Sequence, residues 1–137
     1  MDPGGTTGWC FWEDGEVRAG QDEFEAFTHV VDHLPVPNVV VAERFVINQQ
    51  TIRHSQQTTA LEVIGFLKYV AWRDGADFVL QTPADAKRFA QVGDDKDARL
   101  DAAGWLIRPK AKWDHANDSQ RHMLLYLVKK RLMEPPR

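Results

Sequence analysis

The chain has 137 residues, 43% of them hydrophobic and 27% charged, with a formal net charge of −3. That length supports one domain with its own core, and the balance excludes wholesale disorder. The single cysteine, Cys10, excludes a disulfide within the chain and suits a reducing compartment.

No charged leader followed by an apolar run opens the chain, and no apolar run is long enough to cross a bilayer. A cytoplasmic protein with no membrane partner is expected. The charge is unevenly spread. Residues 1–104 hold 9 Lys+Arg against 17 Asp+Glu, whereas residues 105–137 hold 8 against 3. A basic last third on an acidic body suits a surface facing a polyanion, or it solvates a helix and a loop.

In chain order, Asp2-Pro3-Gly4-Gly5-Thr6-Thr7-Gly8 is a glycine-rich turn beside a carboxylate. Residues 8–13 form an aromatic strand, Asp14-Gly15 a hairpin turn, and residues 16–23 the returning strand. Phe24, Phe27, Val30, Val31 and Leu34 recur at helical spacing until Pro35 and Pro37 end the helix. Val39–Ala42 is a continuous apolar run, expected as a strand covered on both faces. Residues 45–56 read as a polar loop entering a helix that runs from about Thr58 to Asp74, apolar over most of its circumference, with Gly75 as its stop. Phe78-Val79-Leu80 is a further buried strand. Thr82 is the N-cap and Pro83 the first residue of the next helix. Residues 92–104 are an acidic surface connection with room for one helical turn, and its Asp cluster is assigned to solvent rather than to metal. A last helix runs from Trp113 or Asp114 to about Met133, closed by Pro135-Pro136. This order describes an α/β fold, with helices packed on a central sheet.

Three acids stand out by context. Asp2 adjoins a turn whose backbone N–H groups and hydroxyls suit phosphate, and a carboxylate there suits a hard cation; a glycine hairpin with a chance Asp is the other reading. Glu43 ends the most apolar strand, where open α/β sheets place their sites, or it caps that strand into solvent. Asp118 lies a turn inside the last helix, within about 60° of both His115 and Asp114 on the helix surface. His115 and Asp118 thus form a candidate metal-ligand pair, while Asp114 reads as a cap. Cys10 sits in the apolar run Trp9–Trp12 and reads as a buried thiol. Phe45, two residues after Glu43 on the same strand face, reads as core, with stacking on an unpaired base as the other reading. His54 and His122 are assigned no role.

The ordered set DPGGTTGW at 2–9, VVVAERF at 39–45 and HANDSQRH at 115–122 resembles the RuvC-type Holliday junction resolvases of the RNase H-like superfamily, particularly their small phage-borne forms. The resemblance covers nearly the whole chain. It implies an RNase H-like α/β fold with a central mixed sheet flanked by helices. Asp2, Glu43 and Asp118 match the metal-binding acids, and His115 matches a fourth ligand position that is His or Asp in the family. It further implies two Mg2+ ions about 4 Å apart, with Mn2+ as a substitute, hydrolysing a DNA phosphodiester. A homodimer acting on branched DNA would follow. Lys110, Lys112, Arg121, Lys129, Lys130 and Arg131 are then candidates for phosphate contacts, joined by Gln49, Gln50, Arg53 and His54 beside the site.

Other readings are a non-catalytic nucleic-acid-binding relative of the same fold, or an RNA-processing nuclease. The Asp-Gly-Thr-Thr-Gly pattern is also similar to the first phosphate loop of actin-like and sugar-kinase ATPases, which need a second lobe. The family places a central apolar strand before its first acid, where this sequence has Met1 alone. A strand upstream of Met1 is therefore expected.

Overall fold

The computed structural model describes residues 1–47, 57–107 and 114–137. The elements are β1 (Thr6–Glu13), β2 (Glu16–Glu23), α1 (Phe24–His33), β3 (Val39–Glu43), α2 (Gln57–Asp74), β4 (Asp77–Gln81), α3 (Pro83–Ala90), α4 (Ala98–Ala102) and α5 (Asp114–Lys129).

β1 and β2 are antiparallel, closed by a two-residue turn in which Asp14 and Gly15 take φ of 49° and 91°. Two consecutive positive φ values match the twist of the flanking strands, which is why Asp-Gly suits the position. β3 and β4 are parallel, with Glu43 opposite Gln81 at the carboxyl end. The expected central sheet is thus present as two ladders of two strands each. Among the described residues, Met1 and Asp2 join them through backbone hydrogen bonds. Asp2 and Gly8 exchange backbone hydrogen bonds of 2.8 and 3.0 Å, while Met1 N donates to Val41 O and Met1 O accepts from Glu43 N, both at 2.9 Å. Further along, a cavity of about 580 Å³ is lined by Cys10 and Trp12 on one side and Val39 and Val41 on the other. Trp12 Nε1 is buried without a hydrogen-bond partner among the described residues.

Helices cover both faces. On one, Phe27, Val40, Ala42, Val63, Leu67 and Ala71 form a core with Trp9 and Phe66 against it. On the other, Leu100, Trp105, Leu124 and Leu127 pack with Trp12 and Val17. Trp9 and Trp12, three apart on β1, serve opposite faces as strand alternation requires. Each fully buried leucine or phenylalanine contributes about 1.5–3 kcal/mol.

The structure refines four expectations. β4 is half-exposed, with Leu80 36% accessible, because among the described residues it pairs with β3 alone. α2 is apolar over most of its circumference as expected, but that surface is not covered throughout: Leu61, Tyr69 and Trp72 are exposed. α5 ends at Lys129, four residues early, because Arg131 turns to a φ of 58° and Leu132 N folds back onto Leu127 O. The acidic connection contains its expected helical turn as α4, but it is not wholly a surface segment, since Leu100 is fully buried. Thr82 caps α3 as expected, its hydroxyl accepting from Asp85 N at 3.2 Å. Gly75 ends α2 at φ 69°.

Candidate functional site

Three elements meet at the carboxyl end of β3. The Met1–Asp2 bridge sets Asp2 beside Glu43 through the Met1 O to Glu43 N bond. The start of α5 then crosses the turn after Asp2. The crossing is so close that a Cβ on Gly8 would lie 1.8 Å from the His115 carbonyl oxygen. Only glycine fits at that contact. Gln21 on β2 holds the helix start by accepting from Ala116 N at 3.4 Å. Thr7, fully buried, ties down the turn by donating from Oγ1 to Gly4 O at 3.2 Å.

The four expected site residues fall into charge pairs. His115 Nδ1 lies 2.7 Å from Asp2 Oδ2. That carboxylate, helped by Asp118 and Asp114, raises the imidazole above its ordinary value of 6.5 and favours its charged form. Asp118 is engaged by Arg121 one turn along α5. Arg121, with a side chain only 13% accessible, also holds Asp97 through Nε at 2.7 Å and Nη2 at 2.6 Å. Its guanidinium is therefore committed to two carboxylates, and the expected phosphate contact at this residue would have to break one of them. Asp97, assigned to solvent in the sequence, is a structural partner.

Glu43 has a partner that sequence reasoning missed. His122 Nε2 lies 2.9 Å from Glu43 Oε2, and its Nδ1 lies 3.0 Å from Gln81 Oε1. The imidazole is 1% accessible. The available signal was the stripe His115, Asp118, His122 at i, i+3 and i+7, which falls within about 60° on a helix. His122 is its last member, and an apolar stripe follows at once, so residue type alone assigns it no role.

In donor chemistry the set fits a hard divalent cation: three carboxylates, with an imidazole on the same edge. In geometry it is not drawn together. Among the described residues no three His, Cys, Asp or Glu side chains lie close enough to hold a metal ion. Each acid instead faces a basic protein side chain: Asp2 with His115, Asp118 with Arg121, Glu43 with His122. Asp2 and His115 are the donors already within reach of one ion, because a cation could replace the proton between them.

Cys10 is excluded from chemistry, since burial pushes its thiol up to about 12. Asp114 is the first residue of α5 and is exposed. Lys129, Lys130 and Arg131 are exposed at the far end of α5, about 20 Å along the axis from His115. Phe45 lies beyond the end of β3 and is half-buried. Arg53, Gln49, Gln50, His54, Lys110 and Lys112 lie outside the described residues. Among the described residues no helix is long and apolar enough to cross a membrane.

No protein-family model and no curated relative matches the sequence. The structure is similar to that of T. thermophilus RuvC in complex with a Holliday junction substrate. The TM-score is 0.68 at 14% identity, over 98% of this chain and 94% of that one. The chain therefore has the RNase H-like α/β fold that the resemblance implied.

Proposed function

We propose that this protein is a divalent-metal-dependent endonuclease that cleaves branched DNA, four-way junctions in particular. The observation that carries the reading is the meeting of Asp2, Glu43 and the first turns of α5 at one sheet edge. The same fold in T. thermophilus RuvC was solved with a Holliday junction, which supports the substrate class. Asp2, Glu43, Asp118 and His115 would hold two Mg2+ ions, with Mn2+ as a substitute. Bound there, the ions would stabilise charge developing on a phosphodiester and activate water for in-line attack. The chain's own part is to aim the donors, with His115 and Arg121 held against Asp2 and Asp118 until a cation arrives. Lys129, Lys130 and Arg131 would contact flanking phosphates, adding affinity without sequence preference.

A homodimer belongs to the proposal, because α2 presents Trp72, Tyr69 and Leu61 at 78%, 54% and 44% accessibility. These fall with Gly65, where a Cβ would meet open space, on one stripe about 80° wide. Trp72→Glu should shift the sedimentation coefficient to that of a monomer.

The deciding experiment is Mg2+-dependent cleavage of a synthetic four-way junction against linear duplex, with Asp2→Asn, Glu43→Gln and Asp118→Asn alongside. Selective junction cleavage by the wild type, lost in all three, is expected. Equal cleavage by the variants would sink the site. A second reading, a non-catalytic nucleic-acid-binding relative, is favoured by the pairing of every site acid with a basic side chain. It predicts junction binding with no cleavage in either Mg2+ or Mn2+. An RNA four-way junction run in parallel tests the RNA-processing alternative.

A further inference from the structure

We infer that His122 is a positioning residue for Glu43, held in turn by Gln81. This rests on the reading of Glu43 as a cation ligand. Glu43 and Gln81 are register partners at the carboxyl end of the β3–β4 ladder. His122 spans the pair from α5, with Nε2 at 2.9 Å from Glu43 Oε2 and Nδ1 at 3.0 Å from Gln81 Oε1. The imidazole therefore ties the helix that carries His115 and Asp118 to the strand end that carries Glu43.

Hydrogen-bond chemistry gives the contact a direction. An ionised carboxylate only accepts, so the ring must present a proton on Nε2. Gln81 accommodates either state of the other nitrogen. Its carbonyl accepts from a protonated Nδ1, and with the amide turned over its N–H donates to a bare one. Both arrangements deliver the Nε2 proton to Glu43 Oε2. One carboxylate oxygen is thereby fixed, and Oε1 is left for a cation.

Burial argues against a merely tolerated contact. His122 is 1% and Gln81 8% accessible, and the next turn of α5 buries Leu124, Leu125 and Leu127. Burying an imidazole and an amide carries a desolvation cost that leucine would avoid. The two polar groups satisfy each other and one acid. Partners of this kind, which orient a ligand without touching the metal, typically change metal affinity about 10–100-fold.

Two measurements on the full chain test this. The first is long-range 15N–1H NMR of the cation-free protein, where His122 must show a protonated Nε2. The second is Mn2+ titration of the wild type, His122→Phe, His122→Gln and Gln81→Leu, each checked for folding by thermal melting. His122→Phe should lose at least tenfold in Mn2+ affinity. His122→Gln, which keeps an N–H donor, should recover part of the loss, and Gln81→Leu should fall between. Glu43→Gln combined with His122→Phe should bind no more weakly than Glu43→Gln alone. If His122→Phe does not fold, His122→Gln and Gln81→Leu carry the comparison. A bare Nε2, or wild-type Mn2+ affinity in the folded variants, overturns the positioning role alone. Failure of the wild type to bind Mn2+ overturns the cation-site reading and, with it, this role.

Discussion

The two halves of α5 are buried to similar depth and for opposite reasons. From Ala116 to His122 the buried side chains include Asn117, Ser119, Gln120 and His122; from Leu124 to Leu127 they are leucines. The first half needs a hydrogen-bond partner for each polar group. Asn117 accepts from Ile107 N at 3.1 Å, Gln120 donates to Asn117 at 3.3 Å, and Ser119 donates to Ala116 O at 2.7 Å. The second half needs only shape, against Leu100, Trp105 and Trp12. One half therefore spends stability to hold charged groups at the sheet edge, and the other supplies it. Substitutions in the two halves should separate function from folding.

The largest expected effect is at the site. Asp2→Asn, Glu43→Gln or Asp118→Asn should cut junction cleavage by more than about a hundredfold, beyond what loss of an outer partner gives. Thermal melting should move less, because Asn and Gln each keep a carbonyl that can accept from His115, Arg121 or His122. Leu127→Ala should do the reverse. It should destabilise the fold by about 2–5 kcal/mol in urea unfolding, with Mn2+ affinity per folded molecule unchanged.

Gly8→Ala tests where the halves are anchored. A Cβ there meets the His115 backbone at 1.8 Å, so α5 must shift. A loss of about 1–3 kcal/mol is expected, together with weaker Mn2+ binding. Arg121→Gln should move the two properties apart. Loss of its bonds to Asp97 and Asp118 should cost about 1.5–3 kcal/mol, while Mn2+ binding strengthens because Asp118 loses a competing cation.

The smallest effect is a pH dependence. His115 is raised above its ordinary value of 6.5 chiefly by its hydrogen bond to Asp2. Its contribution to stability is thus complete below pH 6.5 and fades as pH rises through the raised value. Urea midpoints should fall slightly over that window, and His115→Ala should flatten the curve. A midpoint that rises there would contradict the assigned pair.

Local rules made most elements legible. Asp14-Gly15, Pro35, Gly75 and Thr82-Pro83 act within one turn of chain, so the hairpin, the end of α1 and the boundaries of α2 and α3 follow from residue type. The errors came where a distant partner decides. The exposure of β4 and of the α2 stripe depends on which neighbours cover them, and α5 ends by a backbone reversal at Arg131 that no side-chain pattern announces.

The site divides the same way. Asp2, Glu43, His115 and Asp118 could be named from the sequence, because each is a ligand-type side chain at a turn, a strand end or a helix start. Their partners could not. Arg121 read as a phosphate contact, Asp97 as solvated and His122 as nothing. Arg121 and Asp97 pair across 24 residues of sequence, and His122 and Glu43 across 79. Periodicity reports which face a side chain takes, and only packing of α5 on the strand ends reports what it meets there.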